Sequence, residues 1–384
     1  MAFESPRRQL WGCGVARLID IPAPWTEHLD DVMDILHDIE ANGAEGGANE
    51  PEPGWGPVAF GALPFDRSRP ARFVIPSVLH GRATEGRRWT TVVSDGSSPV
   101  GPADEPDRAS APTSVSIRSV ESPENWCGSI VAATKRIIEG DLIKVVLARE
   151  IEAEFDRPLD PAMLHGRLSE LYPASLRFAV DGFVGATPEL LVSRVGDIVR
   201  AQPMAGTTPR TGDPDADQRR AGELLASSKN REEHQITIDM VHDSLLPWCS
   251  YLDAEPQPSV VPAGPVQHLA TVVEGRLSRP VPSVLELVAT LHPTPAVGGW
   301  PRDPALALID ELEGADRGRY AGPVGWVDAR GNGAFGVGIR SVQLDGTNAR
   351  LFAGVGVVAD SDPLAELEES RAKAQALLGA LARL

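Results

Sequence analysis

Apolar and polar positions alternate along the chain with two different periods. One set of stretches shows period-two alternation, or short β-branched runs bounded by Gly, Pro, Asn and Asp, and predicts strands. These are 58–63, 71–79, 88–93, 142–155, 177–184, 189–195, 198–204, 260–277, 322–328, 336–342 and 351–358. Between them lie segments with apolar residues three and four apart, which predict helices. They are 25–39 (Leu29, Val32, Met33 and Leu36, with Thr26 as N-cap candidate), 125–140, 161–172, 231–246, 283–291 with Ser283 as cap, and 303–312. A closing helix follows, which Ser361 or Asp362 can cap and Pro363 can open.

Strands outnumber helices and arrive in hairpin-like pairs, with Gly331-Asn332-Gly333 and Asp345-Gly346 as turn signals. No repeat of 20–50 residues is present. The order predicts an α+β fold with large, mainly antiparallel sheets, not a doubly wound parallel sheet. Residues 40–56 are rich in Gly, Glu, Asn and Pro and predict a loop. Residues 94–124 are rich in Ser, Pro, Asp and Ala and predict a mobile surface connection. Every chemically suggestive cluster lies after it. The chain therefore divides, as an expectation, into an N-terminal sheet portion with its linker, 1–120, and a portion that carries the chemistry, 121–384.

Composition narrows the picture. At 384 residues, 42% hydrophobic and 23% charged, the chain reads as a soluble globular protein. No apolar run approaches the roughly 18 residues of a membrane-spanning helix. The start, Met1 to Arg8, lacks an apolar core after its basic pair, so no secretory signal is expected. Cys13, Cys127 and Cys249 are too far apart for a disulfide framework or a zinc pattern, and a reduced cytoplasmic protein is the simple expectation. A net charge of −18 argues against nucleic acid and anionic membranes as partners. An anionic substrate would need local Lys, Arg or a metal ion. We expect a monomer, with a dimer as the alternative.

Several residues have both an ordinary and a chemical reading. Glu366, Glu369 and Lys373 share one helical face, either as a solvated ion-paired face or as carboxylates for a hard cation beside an anion-facing Lys. Glu233 opens the 231–246 helix, where an acid can simply complement the macrodipole or complete a metal site. Lys144 interrupts an apolar strand. It is either a surface lysine or, if buried, a general base. Glu189 starts a strand after Pro188, on the surface or as the acid opposite that base. Arg340 alternates with Ile339 and Ser341, as a surface Arg or as a fork for a carboxylate. Gly206 and Gly354 sit in tight backbone contexts. No dinucleotide fingerprint, phosphate loop or nucleophile elbow is present.

The order of these features is similar to that of the chorismate-utilising enzymes. The motifs are Lys144-Val-Val-Leu-Ala-Arg149, Gly185-Ala-Thr-Pro-Glu189-Leu-Leu, Ala205-Gly206-Thr207, Glu233-His234 and His292-Pro-Thr-Pro-Ala296-Val-Gly-Gly. They continue with Tyr320-Ala-Gly-Pro-Val-Gly, Gly338-Ile-Arg340, Phe352-Ala-Gly354-Val-Gly356 and Glu366-x-x-Glu369-x-x-x-Lys373. The resemblance spans about residues 125–384. It implies one chorismate-binding-type domain, two layers of large antiparallel sheets wrapped by helices, with the site in a cleft between them. The His292 to Gly299 segment is most similar to isochorismate synthases. Salicylate synthases tend to carry Thr at the position of Ala296.

The roles that follow are implied by the resemblance. Mg²⁺, held by Glu233, Glu366 and Glu369, would bind the ring carboxylate of chorismate. Tyr320, Arg340, the backbone at Gly354 and Lys373 would hold the carboxylate of the enolpyruvyl arm. Lys144 would activate water for attack at C2, and Glu189 would protonate the leaving C4 hydroxyl. Gly206 and Thr207 would line the nucleophile's approach, and His292 and His268 would form site walls. One departure is Thr208, where relatives often carry Arg. The expected reaction is isochorismate synthesis, an isomerisation. The alternatives are salicylate synthesis, in which pyruvate loss follows, an amidotransferase-coupled synthase, and a catalytically silent relative.

Overall fold

Two antiparallel sheets form the frame, and the chain crosses between them where the candidate acid and the candidate arginine sit. The structure is a computed structural model that describes residues 1–41, 52–93 and 111–383. Among these residues one sheet has eleven strands, a second has nine and a third, small one has three, and every pairing is antiparallel. The two large sheets meet across Phe3, Leu10, Phe178 and Phe183 on one side and Val58, Phe60, Val324 and Trp326 on the other. Helices Pro161–Leu171 and Pro363–Leu381 cover the outer face of the first sheet through Leu164, Leu168, Ala374 and Leu377. Helices Ser228–Leu245 and Val284–Leu291 cover the second through Val241, Leu245, Leu285 and Val288. The expected two-layer α+β fold is what forms.

The longest strand, Lys144–Phe155, shows why its sequence lacks simple alternation: it is buried on both faces over most of its length. It pairs along ten residues with Asn348–Val357, from Val145↔Val357 to Glu154↔Asn348. Burial between sheet partner and helices selects the unbroken apolar run at 145–148.

Two ribbons pass side by side from the first sheet to the second. Phe183–Thr187 belongs to the first and Leu190–Val195 to the second. Likewise Gly333–Val337 lies in the second and Ser341–Asp345 in the first. The crossings are tied together, Val337 N donating to Glu189 O at 3.1 Å and Ala186 N to Arg340 O at 3.2 Å. The expected continuous strand 336–342 is therefore broken at 338–340. Arg340 does not alternate along a strand but sits at a corner with φ +51°.

Other expectations are corrected in the same way. The run 260–277 is three strands, Ser259–Ala263, Val266–Ala270 and Val273–Leu277, because a turn at Gly264 and a change of sheet after Thr271 interrupt it. The run 71–79 divides at Pro76 into Ala71–Ile75 and Val78–Ala83, which lie in different sheets. Thr26 lies in a short 3₁₀ turn, and the helix begins only at Asp30. The polar stretch before Ser228 contains the helix Pro214–Ala226, capped by Asp213 on the amides of Asp215 and Ala216. Asp362, not Ser361, caps the last helix.

The N-terminal residues extend both large sheets. Ala2–Glu4 pairs with Leu176–Val180, and Val58–Ala62 with Pro323–Asp328. The predicted loop at 40–56 and the connection at 94–124 lie outside the described residues over 42–51 and 94–110. Within the latter stretch, Val115–Ser119 is a strand on the edge of Lys144–Phe155.

Candidate active site

Seven elements converge on one cavity of about 250 Å³. The strand Lys144–Phe155 contributes Lys144, the first sheet crossing Glu189, and the small sheet Gly206, Thr207 and His268. Helix Ser228–Leu245 contributes Lys229, Asn230 and Glu233. The second crossing contributes Arg340, strand Asn348–Val357 Gly354 and Gly356, and the last helix Glu366, Glu369 and Lys373. Tyr320 closes one side, stacked on Phe352 with ring centroids 5.2 Å apart.

Lys144 is 2% exposed, so the buried reading holds. Its Nζ donates to Glu233 Oε1 at 2.7 Å. Burial opposes ionisation of Glu233, but the charge and hydrogen bond of Lys144 outweigh it and hold the carboxyl below its usual range. Glu233 is therefore not a first-turn acid serving the macrodipole. The helix starts five residues earlier, at Ser228, and Glu233 faces the cavity. Gly356 makes room for the pair: a Cβ there would stand 3.0 Å from Lys144 Cε and 3.3 Å from Glu233 Oε1.

Glu189 is buried opposite this pair, and its Oε1 has no hydrogen-bond partner. Burial pushes its carboxyl up to about 8, against the opposing effects of the Met204 backbone, Lys144 and Arg340. It is thus a neutral acid at pH 7 that faces the cavity.

Arg340 is aimed by two partners. Nη1 donates to Ala263 O at 2.7 Å and Nη2 meets His268 Nε2 at 2.7 Å. A guanidinium only donates, so Nε2 of His268 must accept. The proton of His268 is then on Nδ1, within reach of Thr207 Oγ1 at 3.1 Å and Gly206 O at 3.3 Å. Burial, then Arg340, drives His268 well below its ordinary pKa, consistent with a neutral ring. Gly206 has φ +74°, a conformation that other residues rarely adopt.

On the last helix, Lys373 Nζ reaches Glu369 Oε1 at 2.7 Å and Gly354 O at 3.0 Å. Burial, and then the charge of Glu369, push the carboxyl of Glu366 up to about 7. These two acids lie one helical turn apart, with Glu233 in the same cavity. Among the described residues no three of His, Cys, Asp or Glu stand close enough to form a metal cluster, since Glu233 and Glu369 face lysines.

Twelve of the thirteen residues expected at the site line the cavity: Lys144, Glu189, Gly206, Thr207, Glu233, His268, Tyr320, Arg340, Gly354, Glu366, Glu369 and Lys373. His292 does not. It is buried between Trp25 and Phe65, donates Nε2–H to Phe65 O at 2.8 Å, and burial lowers its pKa to about 3. Ala296, four residues on, lines the cavity in its place. Sequence reasoning missed Lys229, Asn230 and Ser361, which also line it. The four-residue spacing of Lys229 and Glu233 was the available signal, since it places both on one helical face. Lys229 also pairs with Asp360 at 2.8 Å across the cavity mouth.

The family model described as "Chorismate binding enzyme" matches residues 3–382, so the resemblance extends through the N-terminal part of the chain. The chain is 38% identical to isochorismate synthase DhbC of Bacillus subtilis (strain 168) over 85% of its own length and 81% of that protein. It is 32% identical to the vibriobactin-specific isochorismate synthase of Vibrio cholerae over 98% of its own length and 90% of that protein. The crystal structure of DhbC from Bacillus anthracis superposes with a TM-score of 0.83 at 32% identity, covering 99% of this chain and 95% of that one.

Proposed function

The chain belongs to the chorismate binding enzyme family, and from that premise we propose that it is an isochorismate synthase, an isomerase that moves the hydroxyl of chorismate from C4 to C2. The observation that carries the proposal is the opposition, in one cavity, of Lys144 and a Glu189 that stays protonated near neutrality.

Lys144, once it has released its proton and its contact with Glu233, takes a proton from water. The oxygen of that water bonds to C2, both ring double bonds shift by one position through C1, C6 and C5, and the C4–O bond breaks. Glu189 delivers its proton to the departing hydroxyl, which leaves as water. One water enters and one leaves, so chorismate and isochorismate are isomers. Lys144 ends protonated and Glu189 ionised, and a return of the proton through solvent resets both. Neither group needs to be unusual in kind, since a positioned acid and base supply the catalysis.

Chorismate carries two carboxylates. Arg340, Tyr320, Lys373 and the backbone at Gly354 would hold that of the enolpyruvyl arm, with Arg340 kept in plane by His268. Glu233, Glu366 and Glu369 would hold a Mg²⁺ ion once Glu233 and Glu369 turn from Lys144 and Lys373, and that ion when bound would neutralise the ring carboxylate and draw electron density from the ring. Gly206 and Thr207 border the space left for water.

Incubation with chorismate and Mg²⁺ is expected to yield isochorismate as the main early product. Salicylate fluorescence as the main early product would overturn the reading in favour of pyruvate loss, and an amino product that depends on ammonium would overturn it in favour of an amidotransferase-coupled synthase.

A further inference from the structure

The strand that bears Lys144 has a gap in its hydrogen-bonded edge. One side of Lys144–Phe155 is fully paired with Asn348–Val357. On the other side, Gly299–Trp300 covers only Lys144 and Val145, and Val115–Ser119 covers only Ile151 to Phe155. Between them the strand edge would face outward with open backbone groups at 146–149. Val146 N is taken by Gly298 O at 2.9 Å and Glu150 O by Val120 N at 3.1 Å. Of the groups left between, Val146 O and Ala148 N are met by side chains.

Arg317 Nη2 donates to Val146 O at 2.7 Å, and Glu313 Oε1 accepts from Ala148 N at 2.7 Å. The two side chains bind each other, Arg317 Nε to Glu313 Oε2 at 2.8 Å, and are only 3% and 4% exposed. They form two rungs of ladder where no strand exists. Arg317 Nη1 donates in addition to Val297 O at 2.8 Å, beside Ala296 on the cavity wall. The Arg317 guanidinium lies 4.3 Å from the ring centroid of Phe65. The carbonyl of that residue receives the Nε2 proton of His292, and its ring meets the imidazole edge-on. Arg317, Glu313, Phe65 and His292 do not line the cavity and bear on it only through the backbone they hold.

We propose that the Arg317–Glu313 pair, supported from behind by Phe65 and His292, is the positioning device of the reaction: it replaces a missing strand and fixes the Lys144 strand against the Ala296–Val297 wall. The proposal rests on the isochorismate synthase reading for its kinetic consequences but not for its structural ones. An arginine is required because only a planar fork can reach Val146 O, Val297 O and Glu313 together. A lysine could satisfy one of them. His292, displaced from the site, has a role through this device: it orders Phe65, and Phe65 supports Arg317.

Two measurements on the full chain test it. Hydrogen exchange at the backbone of 145–150 is expected to rise about tenfold or more in Glu313→Ala, which leaves the Ala148 amide without an acceptor. It should stay slow in Glu313→Gln, whose amide carbonyl can still accept. Steady-state kinetics of Arg317→Lys are expected to show kcat lowered about 100-fold, with KM for chorismate within about threefold, because misplacement by about 1 Å at the reacting groups has that effect. Glu313→Gln should retain more of kcat than Glu313→Ala. Should Arg317→Lys fail to fold, the two Glu313 variants carry the test alone. Wild-type kcat per folded molecule in these variants, even with lowered thermal stability, would reduce the pair to scaffold and overturn the proposal, as would unchanged exchange at 145–150. A wild-type protein inert toward chorismate would sink the proposed reaction instead, while the exchange result would still stand or fall by itself.

Discussion

Two ion pairs lie against the same strand and are built in opposite ways. Arg317–Glu313 is closed on all sides, 3% and 4% exposed, and its polar atoms also hold Val146 O, Val297 O and Ala148 N. Lys144–Glu233 is 2% and 22% exposed, and one hydrogen bond joins its partners beside the cavity. A saturated pair cannot change partners without leaving buried charge uncompensated, which costs about 3–5 kcal/mol. A pair with one bond and a neighbouring cavity can. The difference separates a charge that holds the backbone from a charge that is free to react.

The largest effect follows from removing the reactive side of this contrast. Lys144→Ala and Glu189→Gln are each expected to lower kcat by about a thousand-fold or more while leaving the fold and cation binding intact, as read by circular dichroism and calorimetric titration. Near-normal turnover in either would refute the assigned roles. The pH profile sharpens the point. The Glu189 carboxyl is pushed up to about 8 by burial, so its proton is present below that pH and is lost as pH rises through it. The wild-type rate should therefore fall above about pH 8. If that alkaline limb survived unchanged in the residual activity of Glu189→Gln, another group would have to own it.

The cation wall comes next. Glu369→Gln removes one charge from the donor set and one partner from Lys373, and Mg²⁺ affinity is expected to fall by about 10–100-fold. Direct calorimetric titration with Mg²⁺ checks this without turnover. An unchanged titration would remove Glu369 from the ligands and leave Glu366 and Glu233 to account for the site.

How much of this was readable from the chain depends on distance. Lys144 inside a β-branched run and the i, i+3, i+7 spacing of Glu366, Glu369 and Lys373 are local signals, and both survive in the structure. The two sheet crossings are not local. Nothing in 336–342 says that the strand must end at Val337, because the break passes the chain from one sheet to the other, and the residues it bonds there, Ala186 and Glu189, are far away in sequence. His292 misled for the same reason: its motif borders the cavity through Ala296, while its own ring turns inward to Phe65, a contact across 227 residues. The helix Pro214–Ala226 was hidden because only Asp217 and Leu224 are buried on it, so it shows almost no apolar periodicity. The Arg317–Glu313 device could not be read at all, since a missing strand leaves no mark in the sequence of the strand that misses it.

Gly356 sets the finest test of the contrast between the two pairs. Its backbone has no left-handed conformation, so alanine there strains nothing in the chain itself. The atoms nearest the added methyl would be Lys144 Cε at 3.0 Å, Glu233 Oε1 at 3.3 Å and Lys144 Nζ at 3.5 Å. A saturated pair would resist such pressure and the cost would appear as stability. The Lys144–Glu233 pair has a free side and should yield by a few tenths of an ångström, shifting the amine relative to Glu189. Gly356→Ala is therefore expected to lower kcat about tenfold, with thermal stability nearly unchanged. The reverse outcome, a stability loss with kcat preserved, would mean that Lys144 is held as rigidly as Arg317, and the distinction between a charge that reacts and a charge that holds would not survive at this site.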